Sequence, residues 1–124
     1  MTYEGTDRMA CATKHYRWRA DVSAVVQRAL RNFPGASANT YIDHPWPGWD
    51  ALSVDYWDAQ GCGWPIQRAL GYSLRRFLMD LPGKPDIRHT IYNHTLWTPW
   101  AGYQRWGPND HSGRERHLHV TYLP

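Results

Sequence analysis

The chain has 124 residues, 42% of them apolar and 20% charged, which suits one packed core and excludes a disordered, charge-rich chain. Its formal net charge of +3 permits attraction to an anionic polymer such as cell wall or nucleic acid without demanding one. No apolar run approaches bilayer-spanning length and no secretory leader is visible, so work outside a cell would require export or delivery by other means.

Aromatic content is the unusual feature, with eight Trp and eight Tyr against two Phe. Trp and Tyr join a large apolar body to a polar tip and are favoured where a ligand or partner is gripped. The two cysteines, Cys11 and Cys62, lack metal-binding spacing. They either form one disulfide, tying the N-terminal segment to the loop before the second helix, or remain free thiols.

In chain order, "RWRADVSAVVQRALRNF" places Val22, Val25, Val26, Ala29, Leu30 and Phe33 at helical spacing, and Pro34-Gly35 stops the helix. "ASANTYI" has strand character and runs into the proline-rich loop "DHPWPGWDA". "LSVDYW" predicts a second strand with Leu52, Val54 and Tyr56 on one face and Ser53, Asp55 and Trp57 on the other. "WPIQRALGYSLRRFLMDL" predicts the second helix, with Pro65 in its first turn and Ile66, Leu70, Leu74, Phe77, Leu78 and Leu81 as its buried stripe. "PGKP" ends it. "IRHTIYNHTLW" predicts a strand with a tight turn, and a Trp/Pro/Gly-rich loop, "TPWAGYQRWGPNDHSGR", leads to a final strand through "HLHVTY". The fold class expected is α+β: a small antiparallel sheet with two helices packed on it, in one domain over 1–124.

The final strand carries the chemistry. A strand has a period of two, so His117 and His119 share a face while Leu118, Val120 and Tyr122 take the other. Asp55 sits mid-strand between Val54 and Tyr56, where a carboxylate needs a partner. His44 stands in the loop leaving the first strand. Two imidazoles and one carboxylate, His44, Asp55 and His119, with a fourth position for water, make the ligand set of a catalytic rather than a structural zinc site.

The order His…Asp…His-x-His resembles the zinc peptidases that include lysostaphin-type endopeptidases, D-Ala-D-Ala carboxypeptidases and the Hedgehog signalling domain. Within that group the chain is most similar to the D-Ala-D-Ala carboxypeptidase and L-Ala-D-Glu endopeptidase branch of actinobacteria and their phages. The resemblance covers about 39–123 and rests on "YIDHPWPG", "LSVDYW" and "RHLHV". It implies that His44, Asp55 and His119 ligate zinc while His117 stands beside the metal as acid/base. The family pattern Ser-x-His-x-x-Gly-x-Ala-x-Asp is shorter than the present one, in which ten residues lie between His44 and Asp55, so "PWPGWDAL" forms a wider loop. Many carboxypeptidases carry Glu three residues before the last zinc His; Arg116 is there in this chain, and Glu115, one residue earlier, is the second candidate base after His117.

The implied activity is hydrolysis of a peptide bond in peptidoglycan by a metal-activated water, as endopeptidase, carboxypeptidase or phage endolysin. The implied setting is the cell wall or extracellular space, and the implied partner is peptidoglycan peptide, met by a monomer without nucleic acid or membrane. Asp43, Asp58 or Asp110 would accept from the outer nitrogen of a ligand imidazole. The loops "HPWPGW" and "LWTPWAGYQRW" would wall the cleft through Trp97, Trp100 and Tyr103. Arg88 or Arg105 would meet a substrate carboxylate, and His111 would sit at the rim. "HLHV" also fits the His-hydrophobic-His metal motif of single-strand DNA nucleases with a tyrosine nucleophile, here Tyr16 or Tyr122. A third reading is a non-catalytic wall-binding or phage structural module.

Overall fold

The computed structural model describes residues 18–40, 51–61, 63–106 and 117–124. His44, His111 and Glu115 lie outside the described residues, as do Cys11, Cys62, Tyr16, Asp43 and Asp110.

Among the described residues two helices and six strands follow one another as α1 (Ala20–Asn32), β1 (Ala36–Asn39), β2 (Ser53–Asp58), α2 (Arg68–Asp80), β3 (Ile87–Tyr92), β4 (Thr95–Thr98), β5 (Gly102–Arg105) and β6 (Leu118–Tyr122). All strands pair antiparallel in the order β1-β2-β6-β3-β4-β5, which makes the domain α+β. The sixth strand therefore lies inside the sheet, between β2 and β3.

Both helices bury their apolar stripes on one face of the sheet. Val22, Val25, Val26, Ala29 and Leu30 of α1 meet Leu74 and Leu78 of α2 over Ala38, Val54, Tyr56, Leu118, Val120 and Tyr122. Leu70, Phe33 and Phe77 pack partly buried at the margin, the two Phe rings edge-to-face at 5.3 Å. α1 is pinned to β2 from its N-terminal side: the Trp18 indole Nε1 donates to the Ser53 carbonyl at 2.9 Å, and the Arg19 amide donates to Ala51 at 2.9 Å. In the first turn the Asp21 carboxylate accepts from the Val22 amide and from Arg19 Nε, and the Arg19 bond lowers its pKa most.

α2 begins later than its sequence pattern suggests. Pro65 and Ile66 precede the N-cap residue Gln67, so Pro65 ends the incoming loop rather than opening the helix, while Ile66 still reaches the core. Gly71 lets α2 approach the sheet closely, because the Tyr92 ring occupies the space that a Cβ would fill.

"IRHTIYNHTLW" resolves into a hairpin. Asn93 and His94 both have positive φ, 51° and 63°, and join β3 to β4 as a two-residue turn whose twist suits paired strands. The aromatic segment expected as loop contains the edge strand β5, which pairs with β4 through Thr98↔Gly102 and Trp97↔Tyr103. Its residues are largely exposed, so it lacks the apolar alternation that marks a half-buried strand.

Candidate functional site

Strand register decides what meets on the face away from the helices. Asp55 of β2 lies directly opposite His119 of β6, with Asn39 of β1 beyond Asp55 and Ile91 of β3 beyond His119. One step along, Ser53, Thr121 and His89 form a parallel row. The alternation that sends Val54 and Val120 into the core turns these polar side chains to the other side.

Asp55 and His119 form the centre of the group. Their side chains meet at 2.7 Å, His119 Nδ1 to Asp55 Oδ1, with residue exposures of only 7% and 5%. A carboxylate buried this deeply requires a partner, and the imidazole supplies one. The second ring nitrogen is occupied too: His119 Nε2 lies 2.8 Å from Thr121 Oγ1, which lies 2.9 Å from Ser53 Oγ. The hydroxyl chain fixes the ring and directs Nδ1 at the carboxylate.

His117 stands one residue pair further along. Its Nε2 is 3.7 Å from Asp55 Oδ1, an electrostatic contact too long for a hydrogen bond. Its ring stacks on the Trp57 indole, centroids 4.3 Å apart and planes 24° apart, and Trp57 Nε1 donates to Asn39 Oδ1 at 2.9 Å. His89 lies nearly parallel to His119, with centroids 5.3 Å apart. Between β3 and β6 the ladder slips at Arg88, leaving Arg88 and His89 together between the core residue Ile87 and Thr90, which opposes Val120.

Asp55 and His119 are the described residues that could contribute ligands to a divalent metal. Asp55 Oδ1 and His119 Nδ1 are in direct hydrogen-bond contact, and His119 Nε2 has in Thr121 the outer-shell hydroxyl that a ligand imidazole requires. Among the described residues no group of three or more His, Cys, Asp and Glu is arranged to hold a metal, and His44 lies outside them.

Several expected site residues lie elsewhere. Trp97 opposes Thr90 and Tyr103 opposes Trp97, so both take the side of the sheet that carries the helices. Trp97 packs against the core, and the Tyr103 ring lies beneath the Arg75 guanidinium of α2 at 4.9 Å. Neither walls the Asp55–His119 group. Arg105 follows Tyr103 by two residues, shares its side and is exposed. Trp100 is exposed in the turn between β4 and β5, at the far edge of the sheet. Asp58 has the alternation of Tyr56 and accepts from the Gln60 amide, so the outer acceptor for His119 is Thr121 instead. Arg88 remains beside the site's strand, half-buried at the slip in the ladder. Tyr122 is fully buried in the core, where it cannot attack a DNA phosphate.

Thr121 is the site residue that motif reasoning passes over, while Ser53 and Trp57 share the strand face expected for Asp55 and His89 joins them from β3. Period two was the available signal: Thr121 lies two residues after His119, and Ser53 and Trp57 flank Asp55 at the same interval.

Fold and side-chain geometry thus define an α+β domain with a buried carboxylate–imidazole pair on the sheet face away from the helices. No family model, curated protein or solved structure matches the chain. Among the described residues no helix is long and apolar enough to cross a membrane.

Proposed function

We propose that this domain is a zinc-dependent peptidase that hydrolyses a peptide bond in the stem or cross-link of peptidoglycan. The observation that carries the reading is the convergence of Asp55 Oδ1 and His119 Nδ1 at 2.7 Å, with Thr121 holding the far side of the ring. A carboxylate and a strand-borne imidazole facing each other, with His117 two residues away, are what the resemblance to His…Asp…His-x-His peptidases calls for.

Bound at Asp55, His119 and His44, zinc would act as a Lewis acid and bring the pKa of a water toward neutrality. The chain's own residues do the remainder. Asp55 and His119 supply one negative charge and one neutral donor, and the Thr121–Ser53 hydroxyls keep the imidazole from rotating. His117, close to Asp55 but outside hydrogen-bond reach, takes the proton from the attacking water and returns it to the leaving amine. Glu115 is the alternative base. Arg88, at the slip in the ladder beside β6, would meet a substrate carboxylate. Cell wall or extracellular space is where such an enzyme would act.

Zinc content and hydrolysis test the reading together. Reconstituted protein should hold close to one zinc per chain and release new amino groups from peptidoglycan or muropeptides. It should not nick single-stranded DNA with manganese or magnesium. Less than about a third of an equivalent of zinc would sink the metal site. Zinc without hydrolysis would favour a wall-binding module, and nicking with a tyrosine–DNA adduct would favour the nuclease.

A further inference from the structure

We propose that Trp57, held at its edge by Asn39, is the positioning residue that sets the orientation of His117 for proton transfer. The inference rests on the peptidase reading for its kinetic consequence, but the geometry behind it is independent of metal.

A proton carrier must present its nitrogen to the reacting atom within a narrow angular range. Asp55 does not set that range by hydrogen bonding, since the separation of 3.7 Å from His117 Nε2 is too long. The indole does. Trp57 lies on the same face of β2 as Asp55, one alternation further on, and its ring covers the face of the His117 imidazole at 4.3 Å and 24°. Stacking on a surface this large restricts rotation of the imidazole about its Cβ–Cγ bond.

The indole itself is held. Its Nε1–H donates to Asn39 Oδ1 at 2.9 Å from the neighbouring strand, and Trp57 is only 7% exposed. Asn39 opposes Asp55 in register, so the strand pairing that presents the carboxylate also presents the amide that holds the indole. Trp57 touches neither Asp55 nor His119 in any hydrogen bond or ring contact among the described residues, and this separates positioning from metal holding.

The test compares Trp57→Leu, Trp57→Phe and Asn39→Ala with the wild type in zinc stoichiometry, kcat and KM on muropeptide, and the ring resonances of His117 by nuclear magnetic resonance of metal-free protein. In the wild type the His117 ring protons should lie upfield, shielded by the indole. Trp57→Leu should lose that shift, keep its zinc and lower kcat by about ten- to hundredfold with KM little changed. Trp57→Phe should restore much of both the shielding and kcat, and Asn39→Ala should fall between. Unchanged kcat in Trp57→Leu, or loss of zinc in parallel with activity, would overturn the proposal. Should the wild type neither hold zinc nor cleave peptide, the peptidase reading fails separately. The resonances then decide: shielding lost in Trp57→Leu and regained in Trp57→Phe sustains the positioning of His117, and an unshielded imidazole in the wild type overturns it.

Discussion

Replacing Gly71 with Ala puts the closest approach of helix and sheet to a quantitative test. On helix propensity alone the change should stabilise α2 by about 1 kcal/mol, because glycine is the poorest ordinary residue in a helix interior. The contacts predict the opposite. A Cβ on Gly71 would lie 2.3 Å from Cζ and Oη of Tyr92 and 2.8 Å from Cε2, against an ordinary contact of 3.4 Å or more. Tyr92 is fully buried and packs edge-to-face on Tyr72 at 5.1 Å, so its ring has little room to retreat. Forcing an extra carbon into such packing costs about 1–3 kcal/mol, and expelling a large ring costs about 3–5 kcal/mol. With three ring atoms inside 3 Å the ring must be displaced, so after subtracting the propensity gain Gly71→Ala should destabilise by roughly 2–4 kcal/mol. Urea denaturation should show a lower midpoint with an unchanged m-value. Tyr92→Leu removes the obstructing end of the ring, so the double variant should be more stable than the sum of the singles by about 1–2 kcal/mol. A neutral or stabilising Gly71→Ala would refute the close approach.

Asp55→Ala and His119→Ala should each lose zinc and hydrolysis while circular dichroism stays that of a folded domain, with Asp55→Asn preserving side-chain volume; retained zinc in either alanine variant would show the wrong ligands. Tyr56 and Tyr122 are fully buried with hydroxyls that find no hydrogen-bond partner among the described residues, so Tyr56→Phe or Tyr122→Phe should stabilise by about 1 kcal/mol in thermal or urea unfolding. Burial raises both phenol pKa values above the ordinary 10.0, so the stability they confer is full below about pH 10 and is lost as pH rises beyond it. The double Phe variant should therefore unfold at higher alkaline pH than the wild type. His94→Gly relieves a positive φ of 63° in the β3–β4 turn and should stabilise by about 0.5 kcal/mol in the same denaturation assay, after allowing for the greater freedom of unfolded glycine.

What was legible in the sequence followed from periodicity. The valines of α1 and the leucines of α2 mark one face each, and the alternation of Leu118, Val120 and Tyr122 against His117 and His119 gives the two sides of β6. The same alternation in β2 put Asp55 on the site face. Faces of separate hairpins were not legible, because they depend on register and a shift of one residue inverts them. Trp97 and Tyr103 looked like cleft walls by their nearness in sequence, yet pairing with Thr90 turns them toward α2. Thr121 escaped notice for a chemical reason: a threonine is ordinary in a strand, and only the 2.8 Å approach of its hydroxyl to His119 gives it a role. The slip at Arg88 leaves no mark in composition at all.

The position of β6 bears on how such a chain comes to be made safely. It is the last of the six strands to leave the ribosome, yet its place is between β2 and β3. A nascent chain lacking it holds two separate sheet fragments, β1-β2 and β3-β4-β5, each with an open edge at the missing strand. Asp55 waits on one fragment and His89 on the other, while both histidines of the pair arrive with the strand that joins them. Meeting of the Asp55–His119 pair and completion of the sheet are therefore one event, and a chain that lacks β6 forms neither.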